Sequence, residues 1–206
     1  ESEDQKTLVP FNLDYILSHV PELKNLDVRL DSFSFDTPID SSDIQPQHWT
    51  QIGEIITERY SAYDGFVILH GSDTLAYTAS ALSFMLDGLH KPVILTGSQL
   101  PIGMIRTDAR ENLITAVEIA AKRLDGKPVV TEVAVFFEDM LYRGNRIKKQ
   151  STEAFEAFFS PNYPILASAG VSISFDHTEL FRSEAKELRL MNGFDENVAV
   201  LTLFPG

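Results

Sequence analysis

Two apolar stretches of strand length, each followed by a small polar loop and a helical segment, constrain the fold of this chain more than any other feature. Residues 65–70 (GFVILH) precede a helix predicted over residues 75–86. Residues 92–96 (PVILT) likewise precede a helix predicted from about residue 110 to residue 122. Strands that alternate with helices are typical of βα units, in which the strands run parallel and helices cover the sheet. We therefore predict an α/β fold with a mainly parallel sheet flanked by helices.

The same alternation continues through the rest of the chain. Residues 27–35 alternate polar and apolar side chains and are predicted as a half-buried strand. Residues 45–62 are predicted as a helix, because Pro46 lies near its first turn and apolar residues share one face. Further strands are predicted at residues 132–137, 171–175 and 198–204, a short polar excursion at 141–145, a short helix around 13–19 and a helical turn or two within 151–158.

The composition argues against several classes of partner. With 206 residues, the chain is long enough for one sizeable hydrophobic core. Its 17 basic and 30 acidic residues give a formal net charge of −13, so we expect neither a nucleic acid nor a membrane surface as partner. No apolar run approaches the roughly 20 residues that cross a bilayer. The chain has no cysteine, and its five histidines show no metal-binding spacing, so we expect no metal site.

Three loops that follow apolar strands could carry chemistry, since ligands of parallel sheets bind beyond the carboxyl ends of the strands. Residues 70–74 offer Ser72 and Asp73, although either could simply cap the next helix. Residues 96–99 (TGSQ) could equally form an ordinary glycine turn. Residues 143–149 are a basic cluster, which could be solvated surface. A desolvated lysine in that cluster could instead activate a neighbouring hydroxyl.

Taken together, these elements resemble a known family. Residues 63–101, the DSSD sequence at 40–43 and the LYRGNR sequence at 141–146 closely resemble the cytosolic (type I) bacterial L-asparaginases. The combination of His-Gly-Ser-Asp-Thr after one buried strand and Thr-Gly-Ser-Gln after the next is highly specific. The likeness extends over about residues 8–206 and implies the amino-terminal α/β domain of that family.

The resemblance implies a reaction and the residues that carry it. Family members hydrolyse the side-chain amide of L-asparagine to L-aspartate and ammonia. They use a hydroxyl nucleophile and an acyl-enzyme, with no metal and no cofactor. By similarity, Ser72 is the second catalytic hydroxyl, Asp73 binds the α-amino group of the substrate, and Lys149 activates Ser72.

The family pattern also assigns the other end of the substrate. The α-carboxylate would lie against Asp40, Ser41 and Ser42, where backbone N–H and hydroxyl donors suit an anion. In the family, a neighbouring subunit helps to close each active site. The resemblance therefore implies a homo-dimer or homo-tetramer, acting on a small-molecule substrate in the cytoplasm.

Several departures from the family pattern carry expectations of their own. Relatives open with a strand that ends in Thr-Gly-Gly-Thr, whose second threonine attacks the amide, and no such tetrapeptide occurs here. We therefore expect the fold to lack its first strand and these 206 residues alone to be inactive. We expect residues 1–190 to form the amino-terminal domain. Residues 191–206 would be a linker and the first strand of a smaller carboxyl-terminal domain that is otherwise absent. Ser72 stands where threonine is usual, which keeps the hydroxyl.

Two other interpretations remain open. One is the asparaginase-like subunit of a tRNA-dependent amidotransferase, which uses similar motifs to release ammonia from glutamine. The other is a non-catalytic domain that binds an amino acid through the remaining site. The acidic charge weighs against the first, and the missing tetrapeptide suits the second.

Overall fold

The computed structural model describes residues 13–152 and 154–203. Within these ranges the α-helices are α1 (Leu13–His19), α2 (Pro46–Arg59), α3 (Leu75–Met85) and α4 (Ala109–Ala121), with short 3-10 helices at Pro21–Asn25, Ser41–Asp43 and Gly144–Arg146. The strands of the same ranges are β1 (Phe66–Leu69), β2 (Leu86–Asp87), β3 (Val93–Thr96), β4 (Arg123–Leu124), β5 (Lys127–Pro128), β6 (Val133–Phe137), β7 (Met140–Arg143), β8 (Lys148–Lys149), β9 (Phe158–Phe159), β10 (Ala167–Ala169), β11 (Ile173–Phe175) and β12 (Arg189–Leu190).

The central sheet has six strands within the described residues, in the order β1-β3-β6-β7-β10-β11. β1, β3 and β6 are parallel neighbours. β7 runs antiparallel to both β6 and β10, and β11 runs antiparallel to β10. β10 therefore points the same way as β1, β3 and β6, so four of the six strands share one direction. The predicted α/β fold with a mainly parallel sheet is confirmed, with antiparallel strands added at one side.

Helices cover both faces of this sheet. In β3, Val93 and Leu95 pack with residues of α2 and α3, while Ile94 packs with residues of α4. All four residues of β3 and all five of β6 are buried. A strand buried on both sides favours apolar residues at successive positions, and this explains the apolar runs in the sequence. The buried hydroxyl of Thr96 in β3 is satisfied by donating to Phe136 O.

Residues 27–35 were predicted as a strand, and that prediction is wrong for the structure. Their exposure alternates from Asp27 to Asp31 as in a half-buried strand, but no described residue pairs with them. Val28 and Leu30 contact the apolar cluster that includes α1 and α4. The alternation of polar and apolar residues thus indicates an extended segment that packs on one face. A β-strand also needs a hydrogen-bonded neighbouring strand, which this alternation does not reveal.

Three predictions near the end of the chain also need correction. The predicted polar excursion at residues 141–145 is mostly strand, because β7 returns antiparallel along β6. The described part of residues 151–158 contains no helix; the chain instead turns between β8 and β9, with Gln150 N donating to Ala157 O (2.8 Å). Residues 198–203 were predicted as part of a buried strand, but they are exposed and unpaired in the described part of the chain. The division into residues 1–190 and 191–206 stays a prediction, and residues 1–12 and 204–206 lie outside the described ranges.

Candidate active site

The loops after β1 and β3 leave the sheet side by side, as expected for adjacent parallel strands. His70 N donates to Thr96 O (2.9 Å), which extends the pairing of the two strands by one residue. A Cβ atom at Gly97 would lie 2.2 Å from His70 O. Only glycine permits such a close approach of the two backbones. The first residues of the loops 70–74 and 97–108 are therefore held close together.

Ser72, Asp73 and Lys149 meet at this edge, although 77 positions separate Ser72 from Lys149 in the sequence. Lys149 Nζ donates to Ser72 Oγ (2.9 Å) and to Asp73 Oδ1 (2.7 Å). The Lys149 side chain is 15% exposed and that of Asp73 is 60% exposed. The lysine thus reaches the serine from inside the protein, while the carboxylate faces solvent.

The direction of the hydrogen bonds at Ser72 follows from its neighbours. A lysine ammonium has only donors, so Ser72 Oγ accepts from Lys149. The proton of the hydroxyl then goes to Gln99 Oε1, at 2.8 Å. In this arrangement Ser72 is the middle member of a chain that runs from Lys149 to Gln99.

Gln99 is a site residue to which the sequence alone assigned no role of its own. Its backbone N–H donates to both carboxylate oxygens of Asp108 (3.0 and 2.9 Å). Its side-chain Nε2 donates to Ala154 O (3.0 Å), which fixes which end of the amide faces Ser72. The signal was the TGSQ sequence after β3, which indicated a functional loop without indicating which of its side chains reaches Ser72.

The loop of Asp40, Ser41 and Ser42 lies beside this group. Asp40 Oδ1 accepts from Ser42 N (2.9 Å) and from Ser42 Oγ (2.8 Å). These two bonds, the backbone one first, hold the pKa of the Asp40 carboxyl below its ordinary value. The N–H and hydroxyl donors of Ser42 are therefore already engaged by a carboxylate of the protein.

Ser41 joins the two loops. It is 7% exposed, and its carbonyl accepts from Thr74 Oγ1 (2.5 Å). A Cβ atom at Gly71 would lie 2.5 Å from Ser41 Oγ, so Gly71 is required for this contact. The structure thus brings all six predicted site residues into one region, with the Ser41 side chain packed against the loop that carries Ser72.

The residues of the basic cluster 143–149 have different partners, and not all of them belong to the site. Arg143 Nε donates to Glu132 Oε2 (2.6 Å), and its guanidinium lies 4.2 Å from the centre of the Tyr163 ring. Lys148 is exposed. Within this cluster, Lys149 is the residue that donates to Ser72 and Asp73.

A cavity of about 1940 Å³ borders the site loops. One wall is β1, which pairs with β3 on its other side. Phe66 N and His70 N donate to Pro92 O and Thr96 O, so Val67 and Leu69 direct their N–H groups away from β3. Leu69 is 44% exposed. Residues 27–35 form the opposite wall, and His70, Gly71 and Gln99 line the end nearest the site.

The described residues contain neither a cluster of metal ligands nor a membrane-spanning helix. Among residues 13–152 and 154–203, no group of three or more His, Cys, Asp or Glu side chains could hold a metal ion. No helix in the same ranges is both long enough and apolar enough to cross a bilayer.

Comparisons with known proteins give one consistent result. Residues 1–181 match the family model described as asparaginase, N-terminal. L-asparaginase 1 of Escherichia coli (strain K12) is 43% identical over 188 residues, which are 91% of this chain and 53% of that protein. The crystal structure of L-asparaginase I from Vibrio cholerae superposes with a TM-score of 0.84 at 40% identity, covering 94% of this chain and 58% of that one.

A more distant relative is a glutamyl-tRNA(Gln) amidotransferase subunit of Methanopyrus kandleri. It is 33% identical over 211 aligned positions, which cover 95% of this chain and 45% of that protein. The chain therefore spans about half the length of these two relatives.

Proposed function

Because this chain belongs to the asparaginase family, we propose that the whole protein hydrolyses the side-chain amide of L-asparagine to L-aspartate and ammonia. The observation that carries the proposal is the hydrogen-bonded group of Ser72, Asp73 and Lys149 at one edge of the sheet. The reaction needs no cofactor. We further propose that the protein acts in the cytoplasm as a homo-dimer or homo-tetramer, as the family resemblance implies.

Opposite charges would hold the two ends of the substrate. The carboxylate of Asp73 suits the α-ammonium group of the substrate because it is exposed to solvent. One of its two oxygens already accepts from Lys149. The α-carboxylate would take the donors of Ser42 and of the backbone beside Ser41, once Asp40 releases Ser42. An anion on backbone N–H and hydroxyl donors forms charge-assisted hydrogen bonds, which are stronger than neutral ones.

Lys149 would activate Ser72 through the hydrogen bond that joins Nζ to Oγ. In this step the lysine amine would accept the Ser72 proton, which now points to Gln99. Ser72 would thereby become a stronger nucleophile or proton acceptor beside the amide.

The first attack on the amide is proposed to come from a threonine hydroxyl on a Thr-Gly-Gly-Thr strand that lies in the cavity along β1. The N–H groups of Val67 and Leu69, which point away from β3, suit pairing with such a strand. The threonine oxygen would bond to the amide carbon while the bond from carbon to nitrogen breaks, and the hydroxyl proton would leave with ammonia. Water would then hydrolyse the ester to aspartate and restore the threonine.

Ammonia release by the protein encoded by the whole gene tests this proposal. We expect release from L-asparagine without any partner protein or nucleic acid. Absence of ammonia release from L-asparagine, with L-aspartate still bound, would favour a non-catalytic binding domain.

The similarity to the amidotransferase subunit supports a second candidate, a protein that releases ammonia from glutamine within a larger complex. The same assay separates the two, because that candidate requires activity that appears only with a partner protein and tRNA. Glutamine should then be the better substrate.

A further inference from the structure

Behind the Ser72 loop, three side chains form a hydrogen-bonded row that the proposed chemistry does not use. Trp49 Nε1 donates to Thr78 Oγ1 (2.8 Å). Thr78 Oγ1 lies 2.8 Å from His70 Nε2. His70 Nδ1 lies 2.7 Å from Gly71 O, the carbonyl of the peptide bond that leads into Ser72. The row thus links helices α2 and α3 to the site loop.

The chemistry of the groups fixes the direction of every bond in this row. An indole N–H can only donate and a carbonyl oxygen can only accept. His70 Nδ1 must therefore carry a proton, because its partner is the Gly71 carbonyl. Thr78 Oγ1 accepts from Trp49, and its buried hydroxyl also needs an acceptor for its own proton, which among its described partners is His70 Nε2. Every group is satisfied only when His70 is neutral and protonated on Nδ1.

This protonation state would be stable at neutral pH. Thr78 is fully buried, and burial lowers the pKa of His70, with the Gly71 hydrogen bond opposing that effect. Both polar partners of the ring are uncharged, and burial outweighs the Gly71 carbonyl, which favours the imidazolium form.

The row controls the geometry of Ser72 through a planar peptide. The Gly71 carbonyl and the Ser72 N–H belong to the same peptide unit, so holding the oxygen also sets the direction in which the chain enters Ser72. Glycine has the freest backbone of all residues, and the Gly71 position excludes a side chain because of Ser41. The hydrogen bond from the His70 ring, which is itself held by Thr78 of α3, therefore restrains this flexible residue.

We propose that His70, as the neutral Nδ1–H tautomer, is a positioning residue that holds the Gly71–Ser72 peptide and thereby keeps Ser72 Oγ within reach of Lys149 Nζ. The hydrogen bonds described for the His70 ring go to Gly71 and Thr78, and not to Ser72 Oγ or Lys149 Nζ. The inference rests on the proposed asparaginase activity for its kinetic consequence, but the tautomer itself does not depend on that activity.

Two substitutions separate the two bonds of the ring. The amide nitrogen of asparagine can occupy the place of Nδ1, and the amide of glutamine can reach the place of Nε2. His70→Asn therefore keeps the bond to Gly71 and loses the contact with Thr78, whereas His70→Gln does the reverse. We expect His70→Gln to lower kcat for L-asparagine by about 100-fold, as small misplacements of a reacting group can do.

His70→Asn serves as the matched variant. We expect it to stay within about tenfold of the wild-type kcat, which corresponds to the loss of one ordinary hydrogen bond. Each variant loses one of the two contacts, so their melting temperatures should be similar. A role in stability alone predicts equal kcat values for the two variants, and that outcome would overturn the inference.

A second measurement needs no enzymatic activity. Nitrogen-15 NMR of the imidazole rings distinguishes protonated from unprotonated ring nitrogens, and the His70→Asn spectrum identifies the His70 signals. We expect Nδ1 protonated and Nε2 unprotonated at pH 7. An Nε2–H tautomer or an imidazolium at that pH would refute the inference. If the NMR result holds while the whole protein releases no ammonia, the proposed function fails and the assignment of the tautomer stands.

Discussion

Lys149 Nζ lies 2.9 Å from Ser72 Oγ and donates a hydrogen bond to it. The two residues belong to β8 and to the loop after β1, which are far apart in the sequence and meet only in the folded protein. The lysine side chain is mostly buried. If it were removed, water could not easily replace the hydrogen bond that it makes with Ser72. The pair is therefore the most direct place to test the proposed chemistry.

Replacing Lys149 with methionine should abolish most of the activity while keeping the length of the side chain. We expect Lys149→Met to lower kcat for L-asparagine by at least about 100-fold, as loss of a positioned proton-transfer group does. Lys148→Met is the matched control, because Lys148 is the preceding residue of β8 and is exposed. The control should retain kcat within about twofold. Equal effects of the two substitutions in a steady-state ammonia assay would contradict the assignment of Lys149.

The hydroxyl of Ser72 is expected to matter more than the size of its side chain. Ser72→Ala removes the group that accepts from Lys149 and donates to Gln99, and we expect kcat to fall by at least about 100-fold. Ser72→Thr keeps the hydroxyl and adds a methyl group that restricts its rotamer, so kcat should remain within about tenfold of the wild type. If the alanine variant were as active as the threonine variant, Ser72 would have no catalytic role.

The units that position the site could be predicted from the sequence because their signals are local. β3 and β6 are buried on both faces, so apolar residues continue through each strand. Glycine at position 97 and the polar residues around it indicated a loop after β3, whereas the close approach of Gly97 to His70 O appears only in the structure. The meeting of Ser72, Asp73 and Lys149 was expected only through resemblance to a family, because no local pattern connects residues 77 positions apart.

Other parts depend on contacts that no local pattern reports. The alternation in residues 27–35 reflects packing against α1 and α4, and a pattern of exposure does not reveal whether a neighbouring strand is present. β10 has only three residues and is defined by its antiparallel pairing with β7. The side chain of Gln99 is directed by Ala154, which lies 55 positions away. Each of these features is fixed by tertiary structure.

The burial of His70 predicts how stability changes with pH. Burial lowers the pKa of His70 in the folded protein below its ordinary value of 6.5, so the unfolded chain takes up a proton first on acidification. The contribution of the neutral ring to stability is fully present above about pH 6.5 and is lost as the pH falls from there through the folded pKa. We expect the wild type to lose more unfolding free energy than His70→Asn between pH 7 and pH 5. Parallel urea-unfolding curves for the two proteins over that range would refute this.

The ion pair of Glu132 with Arg143 should be one of the strongest determinants of stability on the side of the sheet away from β1. Arg143 Nε donates to Glu132 Oε2 (2.6 Å) and Phe181 N donates to Glu132 Oε1 (2.7 Å), with the side chains of Arg143 and Glu132 18% and 7% exposed. Glu132→Ala removes both acceptors and leaves the guanidinium poorly compensated. We expect it to lower the unfolding free energy by about 3–5 kcal/mol, as breaking a buried pair does.

The pair of Arg29 with Asp31 offers a contrasting case on the surface. Its side chains are 86% and 43% exposed, and the contact measures 3.0 Å. Water and salt screen such a pair, so Asp31→Ala should leave the urea midpoint close to that of the wild type. Raising the salt concentration should change the stability of the Glu132→Ala and wild-type proteins by similar amounts, because the Glu132 pair is shielded from ions. If the two alanine variants unfolded at the same urea concentration, burial would not be what makes the Glu132 pair important.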